Sequence, residues 1–337
     1  MIAPRMSLML GLAAFMFALL GHPAVAQGLP TPTPSKPVEV SGSSHWDFTS
    51  HITGRTYRVF IAVPDGPAPD EGFAAIYVLD GNSSFLTARD AVRAQSAFAE
   101  IRPAVVVGIG YPSEDGMEIL KTRNKDLTTP ITQEVLSRMP PNPGLSVENT
   151  GGVDDFLRVI ELEIKPLVAK MAPVNPKDQS LVGHSLGGLT VVRALFTEPD
   201  AFRTFVASSP SLFWNDTAVL KDEAQFMRRL SEGRIAPRVM IAVGALEGDR
   251  LLFRTGAAPM TQAEVDETIA TVRMVANARG LGERLAQAKG PAGYHARSVV
   301  FEGESHLSVI PAVISRAVSF ALSVDGDGPP ARKPAAN

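Results

Sequence analysis

The stretch QSLVGHSLGG, residues 179–188, decides the fold of this chain. It begins as a short apolar run, passes through GHSLG at residues 183–187, and continues into apolar positions spaced as in a helix. A strand, the pattern G-x-S-x-G and a helix in this order indicate a sharp turn that exposes a serine hydroxyl. Gly183 and Gly187 supply the small neighbours that such a turn needs. The context predicts a nucleophilic Ser185, and the alternative is a chance turn rich in glycine and serine.

Other apolar runs predict the remaining strands of a sheet. They are Tyr57–Val63, Phe73–Leu79, Ala104–Ile109, Gln179–Gly183, Thr204–Ala207, Val239–Val243 and Ser298–Phe301. Tyr57–Val63 alternates in polarity, as an edge or antiparallel strand does, whereas the continuous runs are typical of buried parallel strands. Helical spacings lie between the runs, and one predicted helical stripe consists of Phe156, Ile160, Ile164, Leu167 and Met171. The pattern predicts an α/β fold: a mostly parallel central sheet with antiparallel N-terminal edge strands and helices on both faces.

Composition limits the class of protein. The chain has 337 residues, is 45% hydrophobic and carries a formal net charge of -3, which permits one large core and gives no basic excess for a nucleic-acid partner. It has no cysteine, so disulfides and thiolate metal sites are excluded. We expect neither a metal nor a cofactor.

The N-terminus has the pattern of an export signal. Arg5 precedes an apolar stretch at residues 7–20, and Ala24-Val25-Ala26 matches a cleavage site. The stretch is shorter than the roughly 20 residues that span a bilayer, so a membrane anchor is the less favoured alternative. The sequence predicts a signal peptide at residues 1–26, a secreted or periplasmic protein, and no stable membrane insertion after cleavage.

The rest of the chain predicts three segments. Residues 27–37 are rich in proline and threonine and should form a linker, residues 38–323 should form the catalytic domain, and residues 324–337 should form a flexible tail. Within the domain, residues 111–150 contain five prolines and no sustained period. This segment follows a strand end, so we expect it to be an active-site loop or lid, and we call it the lid segment.

The position of the last predicted strand selects the general base. His295 precedes that strand and His306 follows it, whereas the site of an open parallel sheet lies at the carboxyl ends of its strands. His306 also comes last in the chain, as the order serine, acid, histidine requires. His184, beside Ser185, is expected to point away from the site. A structural histidine is the alternative for His306.

The acid of the triad is less sharply defined by the residues. Glu247 and Asp249 both follow the strand Val239–Val243 at the correct end of the sheet, and Asp216 is a third option. Spacing alone does not rank Glu247 against Asp249.

Several motifs together resemble the putative-esterase family of α/β-hydrolases, which includes siderophore esterases of the enterochelin type and is related to esterase D and antigen 85. They are residues 77–82, 107–112, Arg123 with residues 126–130, residues 183–188, 209–215, 243–247 and 303–306. Phe213 and the additional Thr129 before Pro130 depart from the family pattern, which affects the expected substrate rather than the chemistry.

The resemblance implies roles for individual residues. It implies Ser185 as nucleophile, Glu247 as acid and His306 as base. It also implies an oxyanion hole from the backbone N–H of Leu186 and from the turn at Gly81 and Asn82.

Candidates for a substrate pocket come from two loops at the same end of the sheet. Phe213 and Trp214 could line it, although core packing is an equal alternative. Arg123 could bind an anionic ligand, but an internal pair with Asp126 is the favoured interpretation.

The sequence therefore predicts a secreted serine esterase that forms an acyl-enzyme on Ser185 and acts on a small-molecule ester. A siderophore ester is the leading specific substrate. An acyltransferase on the same scaffold is one alternative, and a non-catalytic ligand-binding protein of the same fold is the other.

Overall fold

The structure, a computed structural model, describes residues 39–139, 144–248 and 261–324. The predicted signal peptide, the linker, Asp249 and all of the predicted tail except Val324 lie outside these residues. From Ser41 onward the described chain belongs to one compact unit.

Eight strands of the described chain form one sheet in the order β1-β2-β4-β3-β5-β6-β7-β8. They are β1 Ser43–Thr49, β2 Thr56–Ala62, β3 Phe73–Leu79, β4 Ala104–Gly110, β5 Val174–His184, β6 Thr204–Ser208, β7 Arg238–Gly244 and β8 His295–Phe301. β2 is antiparallel to β1 and β4, and the pairs from β4 to β8 are all parallel. The predicted mixed sheet with antiparallel N-terminal strands is confirmed. β1 has no apolar run, because it is an edge strand whose residues are half-buried or exposed, and sequence reasoning missed it.

Helices cover both faces of the sheet. They are α1 Gly81–Ala97, α2 Gly116–Leu127, α3 Gln133–Arg138, α4 Val153–Val159, α5 Lys165–Met171, α6 Leu186–Thr197, α7 Glu223–Ser231, α8 Gln262–Val272, α9 Met274–Gln287 and α10 Val309–Leu322. α1 and α10 pack together on one face, whereas α6 and α9 contribute to the apolar cluster on the other. Every residue of β3, β4 and β7 is therefore buried, as expected for parallel strands between two helical layers. Among the described residues, no helix is long and apolar enough to cross a bilayer.

The helical stripe predicted from Phe156 to Met171 is wrong in its second half. The structure buries Phe156, Ile160, Ile164 and Val168, whereas Leu167 is half-buried and Met171 is 51% exposed. A π-helical turn at Ile160–Ile164 joins α4 to α5 and has more residues per turn than an α-helix. This wider turn keeps residues four apart on one face, so the buried position moves from Leu167 to Val168.

The π turn predicts that two substitutions in α5 lower the free energy of unfolding by different amounts. Val168→Ala should lower the free energy of unfolding by about 2 kcal/mol, because it leaves a cavity in the core. Met171→Ala should change it by less than about 0.5 kcal/mol, because the side chain lies mainly in solvent. Urea titration measures both values. Equal costs, or a larger cost at Met171, would contradict the register that the structure shows.

The lid segment is not structureless, because it contains α2 and α3. Its helical period escapes sequence reasoning since α2 buries the polar residues Asn124 and Asp126 beside Leu127. The Asp115 side chain caps α2 by accepting a hydrogen bond from the N–H of Met117 at 2.8 Å. The segment begins after Gly110, at the carboxyl end of β4, so the topology brings it to the same end of the sheet as Ser185.

Candidate active site

Ser185 occupies a strained turn between β5 and α6. Its backbone has φ 59° and ψ -115°, a conformation that residues with a Cβ rarely adopt. A Cβ at position 183 would lie 2.3 Å from the carbonyl oxygen of Gly187, and one at Gly188 would lie 2.7 Å from that of Ser208. These close approaches explain why glycine stands on both sides of the serine.

Glu247 and His306 meet at the same end of the sheet. Glu247 lies in a 3₁₀ turn at Ala245–Gly248 after β7, and His306 lies in the loop between β8 and α10. The Nδ1 atom of His306 is 2.7 Å from Oε2 of Glu247, and both residues are buried. The other carboxylate oxygen, Oε1, accepts hydrogen bonds from the N–H of Gly244 at 2.8 Å and from the hydroxyl of Ser209 at 2.6 Å. A buried carboxylate with all these partners can hold an imidazole ring in one orientation.

Asp216, the third acid considered, lies elsewhere. Its side chain is 70% exposed and pairs with Arg138 at 3.1 Å on the surface. Asp216 therefore does not take the place of Glu247 beside His306. Asp249 lies outside the described residues.

His184 does not point away from the site as predicted. Its ring packs against that of His306 with 4.4 Å between the ring centroids, and its Nδ1 lies 2.9 Å from the hydroxyl oxygen of Ser208. Burial, followed by the charges of His306 and Arg123, holds the pKa of His184 well below its ordinary value. A neutral imidazole thus lies against the ring of His306. Sequence reasoning missed this contact because His184 ends β5 whereas His306 lies 122 residues further along the chain.

Backbone N–H groups at two helix starts lack partners among the described residues. Within the described part of the chain, the N–H groups of Gly81 and Asn82 at the start of α1, and that of Leu186 at the start of α6, make no hydrogen bond. The Asn82 side chain is fixed, because Oδ1 accepts from the N–H of Tyr111 at 2.8 Å and Nδ2 donates to its carbonyl oxygen at 2.8 Å. Unpaired N–H groups at helix N-termini favour negative charge, so these positions suit a developing oxyanion.

Arg123 pairs with Asp80 and not with Asp126. Its Nε and Nη2 donate to the two carboxylate oxygens of Asp80 at 2.6 and 2.9 Å, and Nη2 also lies 3.3 Å from the carbonyl oxygen of His184. Burial lowers the pKa of Arg123, but the charge of Asp80, the hydrogen bond to Asp80 and the effect of Tyr111 together outweigh it, so the pKa is raised. Arg123 therefore joins the lid segment to the turn before Gly81 and to the residue before Ser185, and its guanidinium is already paired with a carboxylate.

Asp126 has a different partner. It is fully buried, pairs with Arg55 at 2.5 Å and accepts hydrogen bonds from the hydroxyls of Tyr57 and Tyr111 at 3.3 Å. Burial raises the pKa of Asp126 to about 6 against the opposing effect of Arg55. The predicted pair of Arg123 with Asp126 is wrong. Residues three apart in the chain are an obvious pair in the sequence, whereas the true partners, Asp80 and Arg55, are distant in it.

Arg123→Lys should lower kcat/KM by about a hundredfold with little loss of fold. Lysine keeps the charge but cannot make the two-pronged contact to Asp80, and a displacement of about 1 Å near reacting groups has a cost of this order. Arg58→Lys is the matched control, because Arg58 makes a similar two-pronged pair with Asp47 on strands β1 and β2. Steady-state kinetics on an aryl ester compares the two variants. Equal activity in both would mean that Arg123 does not organise the site.

The segment after β6 makes three contacts around the site. Ser209 contacts Glu247, as described above, and the hydroxyl oxygen of Ser211 lies 3.4 Å from that of Ser185. Trp214 is 2% exposed and its Nε1 donates to the carbonyl oxygen of Thr129 at 3.1 Å, so it belongs to the core and fixes the lid segment. Phe213 is half-buried against the core. Sequence reasoning named the two aromatic residues as pocket candidates and missed Ser209 and Ser211, because serines in a loop give no periodic signal.

Comparison with known proteins places this geometry in a family. The model of the family described as "Putative esterase" matches residues 50–296, which is more than half of the chain. The ferri-bacillibactin esterase BesA of Bacillus subtilis is 37% identical over 282 residues, covering 82% of this chain and 89% of the relative. The siderophore triacetylfusarinine C esterase of Aspergillus fumigatus is 32% identical over 294 residues, covering 84% of this chain and 87% of the relative.

Solved structures show the same likeness. The BES protein from Bacillus cereus superposes with a TM-score of 0.71 at 32% identity, over 87% of this chain and 100% of that protein. The siderophore hydrolase EstB from Aspergillus nidulans gives a TM-score of 0.70 at 29% identity, over 86% of this chain and 98% of that protein.

Proposed function

The chain belongs to the putative-esterase family and is an ester-hydrolysing enzyme with the α/β-hydrolase fold, and from this premise we propose that it cleaves siderophore esters through an acyl-enzyme on Ser185. The observation that supports the mechanism most strongly is the 2.7 Å contact between buried Glu247 and His306, at the end of the sheet where Ser185 follows β5. The substrate class is supported by the similarity to two siderophore esterases over 82% and 84% of this chain.

In acylation, the hydroxyl oxygen of Ser185 attacks the ester carbonyl carbon while its proton passes to Nε2 of His306. The Nδ1–H of His306 faces Glu247, whose negative charge stabilises the imidazolium that forms. The N–H groups of Leu186 and of Gly81 or Asn82 bind the carbonyl oxygen as it becomes an oxyanion. The tetrahedral intermediate then expels the alcohol, which takes the proton from Nε2, and the acyl group stays on Ser185.

Deacylation repeats these steps with water as the nucleophile. Water loses a proton to His306 and attacks the acyl carbon, and Ser185 leaves with the proton that His306 returns. The products are an alcohol and a carboxylic acid. A hydroxy-acid siderophore backbone would accordingly be opened by one water molecule per ester bond.

The chain is also proposed to act outside the cytoplasm. This rests on the apolar stretch at residues 7–20 and on the cleavage pattern Ala24-Val25-Ala26, all outside the described residues. N-terminal sequencing of the exported protein should give Gln27 first. An intact Met1 in the membrane fraction would contradict the proposal.

Product analysis tests the substrate class. The protein beginning at Gln27 is incubated with a catecholate trilactone, a hydroxamate triester and a simple aryl ester, each with and without iron where it chelates. Mass spectrometry should show a gain of about 18 Da when the ring of a cyclic triester is opened, and then smaller fragments whose masses sum to that of the substrate plus one water for each ester cleaved. Turnover of the aryl ester alone would reject the siderophore class, and transfer of the acyl group to an added alcohol instead of water would favour an acyltransferase.

A further inference from the structure

Ser209 combines a strained backbone with a hydroxyl group that contacts the acid of the proposed triad. It follows β6 directly, is fully buried and has a φ of 42°, in the left-handed region. A residue with a Cβ is strained there, whereas glycine is not. Strain of this kind is often found where a side chain serves the site.

The backbone around Ser209 is fixed to the strand that carries Glu247. The N–H of Ser209 donates to the carbonyl oxygen of Ala242 in β7 at 2.7 Å, and Glu247 follows β7 by three residues. The donor and the carboxylate are thus held on the same rigid part of the sheet. This arrangement aims the Ser209 hydroxyl at Oε1 of Glu247 at 2.6 Å.

The hydrogen bonds divide the two carboxylate oxygens of Glu247. Oε1 is taken by the hydroxyl of Ser209 and the N–H of Gly244, which leaves Oε2 facing Nδ1 of His306. A carboxylate with one donor on Oε1 can swing about that donor, whereas two donors fix its plane.

We propose that Ser209 is a positioning residue, which extends the proposed triad to a chain of four: Ser209, Glu247, His306 and Ser185. This inference rests on the proposed function. Ser209 touches no substrate and acts through Glu247. Without its hydroxyl, Glu247 faces His306 for less of the time and stabilises the imidazolium less, so His306 becomes a weaker base.

Two substitutions separate this role from a purely structural one. Ser209→Ala removes the hydroxyl and keeps the strained Cβ, whereas Ser209→Gly removes the hydroxyl and relieves the backbone strain. Ser180→Ala is the control, because Ser180 is a buried serine of β5 whose hydroxyl has no hydrogen-bond partner among the residues that the structure describes. The concentration of active protein is set for each variant by titration with an organophosphonate, so partial misfolding does not enter kcat.

Both Ser209 variants should lower kcat by about tenfold with KM changed by less than about twofold, since a hydrogen bond to a charged group is lost. The acidic limb of the kcat/KM–pH profile, where His306 gains a proton, should move to lower pH. Its midpoint should lie between that of the wild type and that of Glu247→Gln, which removes the negative charge entirely. His184, whose ring packs against His306 from β5, and Arg123 of α2, whose charge acts on His184, are the same in every variant.

The proposal is overturned if Ser209→Gly keeps the kcat of the wild type, or if kcat falls while the midpoint of the acidic limb stays in place. A drop in Ser180→Ala equal to that in the Ser209 variants would also overturn it. Failure of the proposed function has a different signature: the titrant would not label Ser185, or Ser185→Ala would retain turnover, whatever the Ser209 variants do.

Discussion

Ser185→Ala is expected to lower ester turnover by about a millionfold, to the level left by the oxyanion hole and substrate binding alone. Alanine has no oxygen with which to form the acyl-enzyme. The change removes one buried atom and keeps the backbone strain at φ 59°, so the fold should be retained. Turnover of an aryl ester measures the loss, and the thermal midpoint measures the fold.

Ser211→Ala is the comparison variant for this experiment. Ser211 carries a hydroxyl 3.4 Å from that of Ser185 and is also buried. If Ser211→Ala lost as much activity as Ser185→Ala, or if Ser185→Ala stayed active, the assignment of the nucleophile would be wrong.

Glu247→Gln is expected to lower kcat by about ten-thousandfold, the second largest effect. Glutamine can still accept hydrogen bonds from Gly244 and Ser209 through one oxygen, so the turn should form. Its amide then presents an NH₂ group to Nδ1 of His306, which forces the ring into the tautomer that cannot take the proton of Ser185. Loss of the negative charge also leaves the imidazolium unbalanced.

Asp249→Asn should leave kcat within about threefold of the wild type, because the imidazole of a triad needs one carboxylate at Nδ1. Glu247 already occupies Nδ1 of His306 in the structure. Kinetics of the two variants measured side by side ranks the acids. Loss of activity in Asp249→Asn with Glu247→Gln unaffected would give the role to Asp249.

The sheet and the nucleophile turn could be predicted because their causes are local. A buried parallel strand must be apolar throughout, and the turn at Ser185 demands glycine at Gly183, so both leave a signal in adjacent residues. β1 left no signal, because an edge strand need not be apolar.

The errors arise where a contact joins distant parts of the chain. Arg123 was assigned to Asp126 three residues away, but it pairs with Asp80, 43 residues away, and Asp126 pairs with Arg55. The α2 helix was hidden because these charged contacts let it bury polar side chains. A π turn moves the buried position of the helical stripe from Leu167 to Val168, and apolar spacing alone does not reveal such a turn. Pair contacts of this kind depend on the tertiary fold and not on residue type.

The residues of the site also differ in whether a local sequence signal or only the tertiary structure identifies them. Ser185, Glu247 and His306 could be named from sequence order, strand ends and the family resemblance, whereas Ser209 required coordinates. Its signal is a positive φ and a 2.6 Å hydrogen bond to an acid 38 residues away.

The acyl group of the ester is proposed to be carried on Ser185, and rapid-quench mass spectrometry of the intact protein detects such an intermediate. The enzyme is mixed with an activated aryl ester whose acyl group leaves the enzyme slowly, and it is quenched in acid before one turnover is complete. We expect a mass increase of one acyl group per chain, located by digestion on the peptide that contains Ser185 and absent from Ser185→Ala. Release of the aryl alcohol with no covalent adduct, or an adduct on another residue that persists in Ser185→Ala, would contradict it.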